Sequence, residues 1–153
     1  MPEYIPSPRQ WVRDQVELYE KSGGTEGTTL RDTGLPVIIV THTGNQTGAI
    51  RKTPLMKVKD GANYILVGSL GGAPKNPVWV YNLRANPNVE LRDHTAVQNM
   101  RVREVTDPGE RAMVDSAMFY LIGTVYPLLA RATYPKLGFA QYAGEVATAD
   151  VSD

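Results

Sequence analysis

Residues 68–87 combine glycines, a cation and aromatic side chains directly after a strand-like apolar run. Ser69, Gly71 and Gly72 open this segment, and such a turn exposes backbone N–H groups that a flat or anionic ligand can approach closely. Lys75 adds a positive charge, and Trp79 adds an aromatic surface. Core packing accounts well for Trp79, but a structural turn does not need the other residues. The segment therefore favours one half of a cofactor site.

A second candidate covers residues 43–56, in which two Thr-Gly pairs enclose a polar tip. Asn45, Gln46 and Thr47 form that tip, and Arg51 and Lys52 follow it closely. Hydroxyl and backbone donors beside a guanidinium can hold a phosphate or a carboxylate. Taken alone, the pattern is more typical of a hairpin turn with exposed cations. Both segments lie at strand ends, however, so they can line one cleft.

Tyrosines provide a third group of candidates. Their rings offer flat contact area, and their hydroxyls can bond or donate a proton. Tyr126 and Tyr134 each precede a proline, which favours a bend where a side chain overhangs a pocket. Tyr120 fits the packing of an amphipathic helix better.

The chain lacks the residues that several enzyme classes require. The chain has neither a P-loop nor a G-x-G-x-x-G fingerprint, and no Ser-His-Asp or paired-carboxylate arrangement favours a hydrolase. Without cysteine, and with His42 and His94 far apart, no metal site is expected. Each histidine is predicted to lie at the surface or in a strand. The remaining residues suit an anionic, planar redox cofactor that brings its own chemistry.

Composition limits the partners of the protein. A length of 153 residues fits one domain, and 16 basic residues balance 16 acidic ones, which argues against a nucleic-acid binder. The beginning of the chain lacks the basic and apolar regions of a signal peptide. The longest aliphatic run, 37–40, is far shorter than the ~18 residues of a membrane span. We therefore expect a cytoplasmic protein without stable membrane insertion.

Three helices are predicted around a set of short strands. The first covers 7–22, with Ser7 as N-cap, Pro8 in the first turn and Gln10 completing a capping box. The second covers 76–84, capped by Asn76, and the third begins at Asp107. The predicted strands are 36–41, 55–58, 63–67, 88–92 and 97–105. Asp60 and Gly61 predict a tight hairpin between two of these strands.

This order of elements predicts a single α+β domain over 1–153, built on a sheet or barrel. The strands are expected within 35–105, and 107–142 is expected to form a C-terminal helical lid. Residues 145–153 are small, polar and acidic, and they are expected to fray.

From about residue 34 to residue 87 the chain resembles the deazaflavin-dependent nitroreductase family of actinobacteria, whose members use coenzyme F420. The resemblance lies in the pattern T-x-T-G-x-x-T-G-x-x-R-x-x-P-L at 41–55, the block S-L-G-G-A-P-K-N-P-V-W at 69–79 and the block N-L-x-A-N-P at 82–87. The order and spacing of these motifs agree with the family.

The resemblance implies a split β-barrel of the FMN-binding-like, pyridoxamine-phosphate-oxidase-like type, with flanking helices. It also implies a coenzyme groove, in which the turn Asn45-Gln46-Thr47 and Arg51-Lys52 hold the phosphate and glutamate tail. Ser69 and either Tyr126 or Tyr134 are the implied catalytic residues. The other implied coenzyme contacts are Pro54, Leu55, Met56, Val67, Gly68, Ser69, Leu70, Val78, Trp79 and Asn82, and the charge of Lys75 adds it to the predicted coenzyme contacts.

Two departures from the family pattern carry expectations. Asn45 and Gln46 stand where the family usually has one or two cations, so weaker coenzyme binding is expected by about 1.5–3 kcal/mol. The family's final Ile-Pro-Val strand has no counterpart in the sequence, so the sequence does not identify the segment that forms the last barrel strand.

The leading hypothesis is an F420-dependent oxidoreductase that passes a hydride to a small electron-poor acceptor, such as an enone, a quinone or a nitroaromatic. An FMN-dependent oxidoreductase on the same barrel and a non-catalytic coenzyme-binding protein are the alternatives. Either a monomer or a homodimer is compatible with the sequence.

Overall fold

The computed structural model describes residues 2–30, 34–60, 62–67, 77–105, 107–110 and 146–151. The two helices with defined bounds are α1 (Gln10–Lys21) and α2 (Val78–Ala85). The strands are β1 (Val37–Thr43), β2 (Ile50–Met56), β3 (Lys59–Asp60), β4 (Asn63–Val67), β5 (Asn88–Asp93), β6 (Ala96–Glu104) and β7 (Val146–Val151). No helix among the described residues is long and apolar enough to cross a membrane.

The strands form one antiparallel sheet in the order β2-β1-β5-β6-β7-β4-β3. Lys57 and Val58 connect the edge strands β2 and β3, which do not pair with each other. Although β1 and β4 are far apart in this order, Ile38 of β1 and Leu66 of β4 belong to one buried cluster. The sheet must therefore curl around a common core, as in a barrel that is split at one corner.

Two apolar clusters cover opposite faces of β1. Ile38 and Val40 pack with α2, while Val37 and Ile39 pack with α1. This division follows from the alternation of side chains along a strand. The sheet thus separates an α2 side from an α1 side, and the candidate site lies where β1 ends.

The first helix begins later than predicted. It starts at Gln10, and Arg9 occupies the N-cap position without a side-chain cap bond. Ser7 instead accepts a hydrogen bond from the backbone N–H of Arg9, which is a local turn before the helix. The buried face of α1 carries Val16 and Tyr19, whereas Leu18 is 45% exposed.

Other boundaries differ by a few residues. The predicted strand 55–58 is replaced by β2, which begins at Ile50 and extends along the whole of β1, because cross-strand pairing continues through the polar residues after the turn. Helix α2 begins after Pro77, which is itself the N-cap. The predicted hairpin is present, with Asp60 opposite Asn63. Asp107 does cap the start of its helix, because its carboxylate accepts the N–H of Glu110 at 2.8 Å.

The expectation that the C-terminus frays is wrong. Residues 146–151 form β7, which pairs with β6 on one side and β4 on the other. Backbone hydrogen bonds to two neighbours stabilise such a strand whatever its local composition, and a sequence window does not reveal those neighbours. The last barrel strand is therefore present, outside the predicted range of 35–105.

Candidate functional site

The connection between β1 and β2 is a compact turn with an exposed tip. The N–H of Gly44 bonds to the carbonyl of Ala49 at 2.7 Å, and the N–H of Gly48 bonds to the carbonyl of Gly44 at 2.9 Å. Gly48 has a φ of +71°, which favours glycine. Asn45, Gln46 and Thr47 are exposed, as their predicted contact with a ligand requires.

Helix α2 holds this turn through a buried amide. Asn82 is 3% exposed, and its Oδ1 accepts the backbone N–H of Asn45 at 3.0 Å. Its Nδ2 lies 3.3 Å from Nδ1 of His42, whose Nε2 lies 2.9 Å from Oγ1 of Thr53. A chain of hydrogen bonds thus runs from the exposed turn, through α2 and β1, to β2. We call Asn82, His42 and Thr53 the turn latch.

His42 is the residue that the sequence interpretation missed. It lies in a strand as predicted, but it is buried and belongs to the polar network of the candidate site. The available signal was its spacing, because Ile38, Val40 and His42 alternate along β1 and must share one face. Burial, and then the positive charge of Arg51, lower the pKa of His42 to about 4. His42 is therefore neutral at pH 7.

The two predicted tail cations do not act from one surface. Arg51 lies opposite His42 in the β1–β2 ladder, so it is on the α2 side, and its Nη1 bonds to the carbonyl of Ile5 at 3.3 Å. Lys52 lies on the α1 side, where its Nζ is 2.6 Å from Oε1 of Glu20 and 4.8 Å from the ring centre of Tyr4. Alternation along β2 separates these neighbours in sequence.

The same alternation divides the predicted ring contacts on β2. Leu55 pairs with Ile38 and packs against the cluster on the α2 side. Pro54 and Met56 pair with Ile39 and Val37, which places them on the α1 side. The sheet therefore brings Leu55, but not Pro54 or Met56, to the face that carries Arg51 and the latch.

On α2 the predicted contacts differ in exposure. Val78 is 72% exposed at the beginning of the helix, and Trp79 is buried in the core. Because Val78 and Asn82 are separated by one helical turn, they lie on the same side of α2. Trp79 lines a cavity of about 340 Å³ with Val80, Leu83, Arg84, Pro87, Val102 and Glu104.

Several predicted site residues lie at the edge of the described residues or outside them. Val67 is the last residue of β4, and only its backbone pairing with Val146 is described. The remaining predicted coenzyme contacts and all three predicted catalytic residues lie outside the described residues: Gly68, Ser69, Leu70, Lys75, Tyr126 and Tyr134.

A second polar cluster surrounds Asp93 at the β5–β6 turn. Its Oδ2 accepts the hydroxyl of Tyr64 at 2.6 Å and lies 2.9 Å from Nζ of Lys57, and its Oδ1 is 2.8 Å from Nδ1 of His94. Tyr19 of α1 accepts the N–H of His94 at 2.7 Å. Burial raises the pKa of Asp93, but these hydrogen bonds outweigh it and lower the value to about 2. We call these five residues the Asp93 cluster.

Comparison with known structures confirms the predicted fold class. At 11% identity and a TM-score of 0.50, the fold is shared with a protein of Listeria innocua assigned as a pyridoxamine 5′-phosphate oxidase, covering 76% of this chain and 84% of that one. A solved F420-H2-dependent reductase, FDR-A, is 28% identical with a TM-score of 0.59, covering 75% of this chain and 94% of that one. The class is thus a split-barrel fold of the kind found in flavin and deazaflavin oxidoreductases.

The family follows from the sequence comparison. The family model of F420H(2)-dependent quinone reductases matches residues 11–122, so the chain belongs to that family. This confirms the predicted resemblance, and the family's name identifies coenzyme F420 as its reductant.

Two further relatives refine the comparison. The F420H(2)-dependent quinone reductase Rv1261c of Mycobacterium tuberculosis is 39% identical over 83 residues, which cover 54% of each chain. The chain thus spans about half the length of the curated relatives it matches. A solved structure described as a domain-swapped dimer is 30% identical with a TM-score of 0.62, covering 94% of this chain and 100% of that one.

Proposed function

We propose that this protein is an F420-dependent reductase that transfers a hydride to a quinone or a similar electron-poor acceptor. The observation that carries the proposal is the exposed tip of the β1–β2 turn in a chain of this family. Within the described residues, the N–H groups of Gln46 and Thr47 take part in none of the hydrogen bonds of the turn. Arg51 lies near the start of the following strand. Such donors beside a cation suit an anionic phosphate or carboxylate.

The residues present fit the coenzyme in a defined arrangement. Asn45, Gln46, Thr47 and Arg51 would hold its tail at the turn. The ring would lie toward the exposed Val78, on the side of α2 that also contacts the turn. Lys52 is better explained by its ion pair with Glu20, so the proposal assigns it to the packing of α1.

When bound, the reduced coenzyme supplies a hydride, and the quinone takes up this hydride and one proton to become a hydroquinone. The protein's part is to orient the two rings, exclude water and supply the proton. Ser69 is proposed to orient the ring or the acceptor, and Tyr126 or Tyr134 to supply the proton.

A binding titration followed by a turnover assay tests this function. The purified protein is titrated with F420 while its fluorescence is followed, with FMN as the control ligand. Saturable binding of F420 without binding of FMN is expected, and the reduced coenzyme should then be oxidised on addition of menadione. Binding without turnover of menadione, an enone or a nitroaromatic would instead indicate a coenzyme-binding protein. Absence of F420 binding would overturn the proposal.

Assembly and location belong to the same proposal. The relative described as a domain-swapped dimer aligns over most of this chain, and on that basis we propose a homodimer. Light scattering after size-exclusion chromatography distinguishes it from a monomer. The predicted cytoplasmic location stays a prediction, which fractionation of cells followed by immunoblotting can check.

A further inference from the structure

We propose that His42 and Asn82 are positioning residues that lock the β1–β2 turn in the conformation that binds the coenzyme tail. This inference rests on the proposed function, since it concerns the same turn. It assigns a role to His42, which no sequence motif singled out. It also changes the role of Asn82 from contacting the coenzyme to holding the turn that does.

The orientation of the Asn82 amide is fixed by the turn. A backbone N–H can only donate, so the atom that faces Asn45 at 3.0 Å must be the oxygen of the amide. The amide nitrogen consequently faces Nδ1 of His42 at 3.3 Å. Because that nitrogen can only donate, Nδ1 must accept, and the proton of His42 resides on Nε2, which donates to Thr53 at 2.9 Å.

The charge of His42 agrees with this assignment. A protonated imidazole would direct an N–H at the NH₂ group of Asn82, and neither group could then accept. Burial disfavours a positive charge on the His42 ring, and the charge of Arg51 on the neighbouring strand disfavours it further. The latch therefore has one arrangement of donors and acceptors.

The surroundings show why the latch acts on the turn. The neighbours of Asn82 on α2 are buried apolar residues: Trp79, Val80 and Leu83. Replacing both partners of a buried hydrogen bond by apolar groups of similar shape is nearly neutral for stability. The polar pair adds direction instead, because it binds one specific N–H of an exposed turn, whereas apolar contacts leave the rotation of that turn free.

The test compares two ligands, F420 and the same deazaflavin ring without the phosphate and glutamate tail. In Asn82→Leu, the dissociation constant for F420 should rise by about tenfold, since one or more directed hydrogen bonds at the tail are lost. The constant for the tail-less ring should stay within about twofold. Asn82→Leu leaves His42 without its partner and should therefore lose stability. The double variant His42→Leu/Asn82→Leu should recover much of that stability but none of the tail-dependent affinity.

A matched control separates positioning from general destabilisation. Leu83→Ala removes a buried side chain from the same helix without touching the turn. It should lower the midpoint of urea unfolding, yet leave the ratio of the two dissociation constants as in the wild type.

Thr53→Val is the milder second variant, because it keeps the shape of the side chain and removes only the last acceptor of the latch. Amide hydrogen exchange at Asn45 should become faster in it while exchange in the β5–β6 ladder stays unchanged, and NMR of the wild type should show the proton of His42 on Nε2.

A proton on Nδ1, or equal weakening of both ligands in Asn82→Leu, overturns the latch alone. Failure of the wild type to bind F420 overturns the proposed function as well.

Discussion

The turn latch and the Asp93 cluster solve the same problem by different physical means. Each uses polar side chains to tie together elements that are distant in sequence. The latch is neutral and directional, its His42 and Asn82 are buried, and it ends on an exposed turn. The Asp93 cluster is charged: its carboxylate binds Tyr64 of β4 and Lys57, and Tyr19 of α1 binds the backbone N–H of the adjacent His94. The comparison suggests that the latch orients a binding turn, whereas the Asp93 cluster stabilises the fold.

The largest effect should come from a glycine beside the Asp93 cluster. In Gly24→Ala the new Cβ would lie 1.8 Å from the backbone oxygen of His94, at a φ of +88°. Because backbone cannot move aside cheaply, we expect a loss of about 3 kcal/mol or more in the free energy of unfolding. Gly48→Ala is the matched control in the other region, where a Cβ meets nothing within 4 Å, and it should lose only about 1 kcal/mol. Equal losses in urea unfolding would contradict this ranking.

Acidification should weaken the two regions in separate pH windows. The folded-state pKa of His42 is lowered from 6.5 to about 4, so the unfolded chain binds more protons and stability falls as the pH drops through this interval, by up to about 3 kcal/mol. The folded-state pKa of Asp93 is lowered from 3.8 to about 2, so the stability that this carboxylate contributes is lost as the pH falls between those two values. Urea midpoints measured against pH should show both steps. The upper step should be absent in His42→Leu/Asn82→Leu, and its persistence there would assign it to another group.

Removing the charge of Asp93 tests the stabilising role directly. In Asp93→Asn, Lys57 loses its partner, and we expect a loss of about 2 kcal/mol in stability, below the range for fully buried pairs because Lys57 is partly exposed. Coenzyme affinity should not change, which calorimetric titration with F420 can check. Glu90→Gln, in the same strand, is the control and should be close to neutral. A large change in coenzyme affinity in Asp93→Asn would contradict a purely stabilising role of the Asp93 cluster.

The smallest effect on stability separates the two cations of β2. Lys52→Met removes a partly exposed ion pair with Glu20 and should cost about 0.5–1 kcal/mol while leaving coenzyme affinity intact. Arg51→Met should instead weaken F420 binding by about tenfold, since a charge-assisted contact is lost. The two dissociation constants, measured side by side, decide the matter. Weaker binding in Lys52→Met would indicate that Arg51 and Lys52 both hold the coenzyme tail, as the sequence predicted.

The elements that could be predicted are those with local signals. The β1–β2 turn, the β3–β4 hairpin and the cap at Asp107 each depend on a few adjacent residues, and the structure shows all three. The helix start at Gln10 and the pairing of β7 were missed. Ser7 fits a cap motif yet makes a preceding turn, and β7 depends on strands more than 35 residues away in the chain.

For the candidate site, the sequence by itself determined the family, the exposed turn and the identity of its polar residues, because motif order and turn chemistry are written in adjacent positions. Only the tertiary structure decided that Arg51 and Lys52 face opposite sides and that His42 and Asn82 meet. Register assigns each residue of β2 to a face, and Asn82 reaches Asn45 across 37 positions of the chain. Such a contact exists only once the sheet has curled around α2.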